Sequence, residues 1–191
     1  MKAVSFLGYS NSGKTTAIEH LIRGMVGLGV RVGAMKSIHE EEFTADVPGK
    51  DSWRYTVAGA AVKLVVSPHE LMVAERIATR DIPLAQLMGI FEGKGIDYLL
   101  IEGFYAKLGE EKELPADLRY VLCARTKKEA IALTRQHKHG VVCICGPVTR
   151  GNQRSINGVP LVRLPGQTRW LLRALGAEPL NTAAGIARVM S

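Results

Sequence analysis

Eight residues near the start of the chain, Gly8-Tyr9-Ser10-Asn11-Ser12-Gly13-Lys14-Thr15, restrict its fold more than any other stretch. They follow a short apolar run at residues 3–7. They precede residues 15–29, where Ala17, Ile18, Leu21, Ile22, Met25 and Val26 recur at helical spacing. A buried strand, a glycine-rich turn and a helix are therefore expected in that order. The glycines let backbone N–H groups turn inward and the helix adds its positive end, so the turn is suited to cradle a phosphate. Lys14 is placed to reach the β- and γ-phosphates as a point charge, and Thr15 to hold Mg2+. The expected nucleotide contacts are Gly8, Ser10, Asn11, Ser12, Gly13, Lys14, Thr15 and Thr16. Tyr9 and Ser10 stand where one ATPase variant needs a second, early lysine, which disfavours that variant.

Such a loop needs a carboxylate at the end of a neighbouring strand to orient the metal's water shell. Asp97-Tyr98-Leu99-Leu100-Ile101-Glu102-Gly103 supplies Glu102, followed by a glycine that permits close approach. Lys14 and Glu102 are thus the expected catalytic pair. The loop after the second strand offers Lys36 for phosphate, and His39 or Asp46 for metal or water, because loops after parallel strands gather at the ligand edge. His39 and Asp51 are candidates for a nucleotide-sensitive switch. The run Glu40–Glu42 reads as a solvated acidic face.

The rest of the chain alternates in kind. Strands are expected at residues 30–35, 62–66, 98–101, 119–124, 141–145 and 159–162, and helices at 84–91, 127–137, 167–175 and after Asn181. Asp51 or Ser52 is expected to cap a short helix ending near Gly59. Residues 71–78 fit either helix or strand, and residues 103–117 read as a polar loop. Uninterrupted apolar strands alternating with helices imply an α/β fold: a mostly parallel sheet with helices on both faces, of P-loop NTPase type. One domain spanning residues 1–191 is expected.

Charge is uneven. Residues 1–95 carry 11 Lys/Arg against 10 Asp/Glu, and residues 96–191 carry 14 against 8. That surplus favours phosphorylated ligands or an acidic partner. Nucleic acid is disfavoured, since no basic run is interleaved with aromatics. No apolar run reaches the roughly 18 residues of a membrane span. The N-terminus leads straight into the phosphate loop, so no cleaved signal is expected. Cys123, Cys143 and Cys145 lie in apolar runs without a zinc pattern, which suits buried thiols in a reducing cytoplasm.

Asp46-Val47-Pro48-Gly49-Lys50-Asp51-Ser52-Trp53-Arg54, with Ala58-Gly59-Ala60 after it, resembles the signature of the molybdopterin-guanine dinucleotide biosynthesis adaptor B family. The phosphate loop, Lys36 with His39, and Ile101-Glu102-Gly103-Phe104 extend the likeness over about the first 105 residues. The resemblance implies a GTP-binding, weakly hydrolysing, dimeric accessory protein, for which the phosphate loop itself leads us to expect Mg2+ as cofactor. Such proteins assist a guanylyltransferase in attaching a guanine nucleotide to molybdopterin. Ser37 and Glu40 stand where the family carries histidines, so no role needing paired imidazoles is carried over.

Guanine recognition is open. Thr126-Lys127-Lys128-Glu129 could read the base through Lys127 and Glu129, but is also a capping box, which is the preferred reading. His137 and His139 suit a helix C-terminus better than a metal. Trp170 and the leucines after it read as core. Two rival functions remain: a P-loop small-molecule kinase, with Arg150 and Arg154 as the remains of a lid, and a nucleotide-independent molybdopterin carrier.

Overall fold

The computed structural model describes residues 1–110, 115 and 117–177. The helix expected after Asn181 lies outside them. The described chain gathers into two compact units, Met1–Ser37 with Leu84–Ser191, and Ile38–Pro83, where the sequence reading treats the chain as one domain.

In the first unit the apolar runs become β1 (Lys2–Leu7), β2 (Val32–Lys36), β5 (Tyr98–Glu102), β6 (Arg119–Cys123) and β7 (Val141–Cys145), in the order β2-β5-β1-β6-β7. All four pairings are parallel. Alternation along each strand explains why the runs are continuous, because both faces are covered. Val4, Phe6, Leu100, Val121 and Cys143 meet Ala17, Leu21 and Met25 of α1 (Lys14–Val26) and Leu171 and Leu172 of α6 (Thr168–Ala174). Ala3, Leu7, Leu99, Ile101, Leu122 and Ile144 meet Leu84 and Met88 of α3 (Leu84–Gly89), Leu108 of α4 (Tyr105–Glu110), and Ala130 and Leu133 of α5 (Lys127–Gln136). The three cysteines are buried and free, as expected.

The connections leaving β1 and β5, neighbours in the sheet, enter helices on opposite faces, α1 and α4. That is a topological switch point, where α/β sheets open a crevice at their strand ends. Helix α4 corrects the polar loop expected at residues 103–117. One turn is helical because Leu108 buries itself in the core, a tertiary gain that a mostly polar segment does not advertise.

The second unit holds α2 (Asp51–Val57) and an antiparallel hairpin of β3 (Val62–Val66) and β4 (Leu71–Glu75). Residues 62–66 are thus a strand, but they pair with β4 and not with the parallel sheet, and the ambiguous residues 71–78 contain that partner. Helix α2 takes Lys50 as its N-cap, without a side-chain cap, in place of Asp51 or Ser52. The Lys63 ammonium organises this unit. It pairs with the Asp46 carboxylate and donates to Thr56 Oγ1 at 2.7 Å and to the Ser52 carbonyl at 3.2 Å.

Candidate functional site

Strand β1 delivers the chain to Gly8, where only glycine fits: a Cβ there would lie 2.1 Å from the Cys123 carbonyl oxygen. Asn11 at φ 58° and Gly13 at φ 90° then take left-handed conformations that close the loop before α1 begins at Lys14. Ser12 Oγ is buried and makes no hydrogen bond among the described residues. Ser10, Asn11 and Thr16 are exposed. The Lys14 ammonium lies over the loop, donating to the Gly8 and Tyr9 carbonyls, each at 2.9 Å.

Glu102 is the meeting point of three strands. Register sets Phe6 of β1 on one side of it and Lys36 of β2 on the other. The Thr15 hydroxyl lies 3.1 and 3.0 Å from its two carboxylate oxygens, and Lys36 Nζ is 3.3 Å from Oε1. The carboxylate is only 12% exposed. Gly103, at φ 89°, lets the strand ends converge: a Cβ there would come within 3.1 Å of the Ser37 side chain, and Ser37 N–H donates to the Glu102 carbonyl at 2.9 Å. Thr15, Lys36 and Glu102, identified separately in the sequence, are therefore in contact, with Lys14 beside Thr15 at the start of α1.

His39, Asp46 and Asp51 belong to the second unit. His39 is exposed, and Asp51 makes an exposed pair with Arg54 at 3.6 Å. Asp46 is engaged: besides Lys63 it accepts from the Ser52 hydroxyl and from Val47 N–H, each at 2.9 Å. Chiefly the Lys63 hydrogen bond, with help from Ser52 and against desolvation, holds its carboxyl below the ordinary aspartate range.

The four residues weighed for base reading form the capping box. Thr126 Oγ1 accepts from Glu129 N–H at 3.2 Å, and Glu129 Oε2 accepts from Arg125 N–H at 2.7 Å. The Arg125 guanidinium also holds Glu129, and lowers its pKa. Lys127 opens α5. His137 is the C-cap of α5, its ring against Tyr105 and Tyr120, and burial lowers its pKa.

One contributor escaped the sequence reading. Gly146, at φ 96°, ends β7 directly beneath the phosphate loop, where a Cβ would lie 2.3 Å from the Ser12 carbonyl oxygen. Its signal was the Gly-Pro dipeptide after an apolar run, a turn marker that does not say what the turn touches. Trp170, expected in the core, is 42% exposed, whereas Leu171, Leu172 and Leu175 are buried.

Against known proteins, the family model of MobB, molybdopterin guanine dinucleotide synthesis protein B, matches residues 3–136. The molybdopterin-guanine dinucleotide biosynthesis adapter protein of Escherichia coli (strain K12) is 32% identical over 102 residues, which are 53% of this chain and 58% of that protein. Its namesake in Haemophilus influenzae is 34% identical over 97 residues, 51% of this chain and 53% of that protein. The chain thus spans little more than half the length of these curated relatives. The crystal structure of Bacillus subtilis MobB superposes with a TM-score of 0.68 at 26% identity, covering 91% of this chain and 98% of that one. The MobB homolog from Bacillus stearothermophilus shares the fold, with a TM-score of 0.63 at 18% identity over 93% of this chain and 100% of that one.

Proposed function

The chain belongs to the MobB family, and from that premise we propose that it is a GTP-binding, slowly hydrolysing adaptor in the making of molybdopterin guanine dinucleotide. The observation that carries this reading is the pairing of Thr15 with Glu102 beside Lys14 at the mouth of the phosphate loop. Backbone N–H groups of Gly8 to Thr15 take the phosphates, and Lys14 exchanges its two carbonyl partners for phosphate oxygens. Lys36 adds a second positive charge at the same strand end.

Thr15 and Glu102 would hold Mg2+. The donors fit a hard cation: a hydroxyl and a carboxylate side by side, without sulfur or imidazole. Among the described residues no group of three or more His, Cys, Asp or Glu could hold a metal, so phosphate oxygens and water complete such a site. When bound, the ion neutralises phosphate charge. Glu102 would orient the water shell.

The partners in this reading are the guanylyltransferase of the pathway, molybdopterin itself, and a second copy of this chain. Val62, Leu64, Val66, Leu71 and Val73 line one exposed face of the β3–β4 hairpin, an apolar surface of the kind that marks an interface. A homodimer built on it would dissociate in Leu64→Glu, measured by sedimentation. The setting is cytoplasmic; among the described residues no helix is long and apolar enough to cross a membrane. Calorimetric titration with GTP and with ATP, with and without Mg2+, tests the nucleotide reading. Mg2+-dependent GTP binding is expected. Tighter binding of ATP would reject the adaptor and promote the small-molecule kinase.

A further inference from the structure

We propose that the purine base of the bound nucleotide is read in a cleft beyond the edge of the sheet, with Trp170 as its stacking face and Arg154 reading its edge. This deepens the nucleotide reading above and rests on it. The cleft measures about 700 Å³, within the range of small-molecule sites. Buried Leu161 and Val162 line it together with Thr149 and Asn152 of the turn after β7 and with Trp170 of α6.

Position is the first argument. Leu161 bridges Ile144 in parallel, and Val162 N–H donates to the Ile144 carbonyl at 2.9 Å, so residues 161–162 extend the sheet by one more position past β7. The cleft opens between the chain leaving β7 and the chain leaving this extension, at the strand ends where α/β sheets take ligands. Glu129, by contrast, spends its carboxylate on Arg125 and the start of α5.

Connection to the phosphate loop is the second. Gly146 packs against Ser12, and Thr149 lies three residues further on, so the cleft rim is within about 11 Å of the phosphate loop. A ribose and its α-phosphate span a gap of that order. The Arg163 guanidinium braces the turn, donating to the Thr149 carbonyl at 2.6 Å and to the Gly151 carbonyl at 3.2 Å. Helix α6, which carries Trp170, packs closely on α1: a Cβ on Gly24 would lie 2.8 Å from Leu172 Cδ1. The turn and the helix are thereby fastened to the elements that hold the phosphates.

Chemistry is the third. Among the described residues that line the cleft none is acidic, so the base edge is assigned to other groups. Among the described residues the Arg154 guanidinium makes no side-chain hydrogen bond or ion pair, and its fork matches the O6 and N7 acceptors of guanine. Adenine presents an amino donor in place of O6 and suits it less. Gln153 donates its amide nitrogen to the Ser155 carbonyl at 2.7 Å, which leaves its oxygen as an acceptor for guanine N–H groups. Half-exposed Trp170 supplies a planar apolar face that any purine can stack on.

The test titrates the full chain, Trp170→Ala and Arg154→Gln with GTP, ATP and tripolyphosphate in Mg2+. Trp170→Ala should weaken GTP and ATP about ten- to a hundredfold and leave tripolyphosphate unchanged. Arg154→Gln should shrink the GTP-over-ATP preference by about tenfold. In Trp53→Phe, where Trp170 is the one remaining tryptophan, GTP should quench fluorescence and tripolyphosphate should not. Unchanged GTP affinity in Trp170→Ala, or equal losses of GTP and tripolyphosphate, would overturn the proposal. A parent chain that binds tripolyphosphate but gains nothing from the base overturns this inference alone. One that binds neither overturns the phosphate-loop reading and this inference with it.

Discussion

Glu102 and Asp46 are both carboxylates that the sequence offers to a metal, and the two units of the molecule use them in opposite ways. In the first unit the hydrophobic core already secures the sheet, and Glu102 stands at a strand end with partners that a ligand can replace: a threonine hydroxyl and a half-exposed lysine. In the second unit the hairpin strands bury little apolar surface, and the Asp46–Lys63 pair, each side chain 8% exposed, takes the organising place of a core. A charge is free for chemistry where packing has made it unnecessary for folding. Where a buried pair is the organising contact, removing one partner strands the other.

The sharpest test of this contrast is Lys14→Ala. Among the described residues its ammonium bonds only two loop carbonyls, so the fold should hold while triphosphate affinity falls about a hundredfold or more, since each charge-assisted bond to phosphate carries about 1.5–3 kcal/mol. Equal affinity in calorimetry would remove the phosphate-loop reading. Glu102→Gln keeps the shape and loses the charge, so Mg2+-dependent hydrolysis should drop about tenfold or more with a smaller change in binding and none in melting temperature. Unchanged hydrolysis would make Glu102 a structural strand end and pass its role to another carboxylate, such as Asp46 or Asp51.

Asp46→Asn should behave in the reverse manner. Hydrogen exchange across residues 44–66 should quicken while nucleotide affinity and turnover stay as in the parent. If instead Mg2+ dependence is lost, Asp46 serves the metal as its sequence position suggests. Acid sharpens the same point. Asp46 is more acidic in the fold than in the unfolded chain, so its contribution is complete above the ordinary aspartate range, and drains as pH falls below about 4 through its depressed folded value. Exchange in the second unit should rise across that window, and in Asp46→Asn that added pH dependence should vanish. The smallest effect is expected from Thr126→Ala, which removes a helix cap worth about 1 kcal/mol and should lower the melting temperature with any GTP-over-ATP preference retained.

Much of the first unit is legible in the chain because the governing constraints are local. A glycine forced by a neighbouring carbonyl, a lysine and threonine opening a helix, and a carboxylate after four apolar residues are set by spacing along a few residues. Continuous apolar runs at residues 98–101 and 141–145, and the run at 3–7 interrupted by Ser5, announce strands covered on both faces, and hence a parallel sheet. The capping box at Thr126–Glu129 is equally local. What no local pattern could specify was which neighbours tertiary packing would bring. Residues 62–66 look like the other strands, yet they pair with 71–75, because a hairpin partner nine residues away was available. Trp170 reads as core by its apolar company, but only the packing of α6 on α1 decided which of those side chains faces inward. Gly146 owes its importance to Ser12, distant in sequence, and Asp46 owes its confinement to Lys63 on a later strand. Backbone conformation and periodicity are written residue by residue, so the sequence determined the phosphate loop, its carboxylate and the class of fold. Partners distant along the chain exist only once it has folded, so tertiary structure alone decided which charges remained available and where the sheet edge opened a cleft.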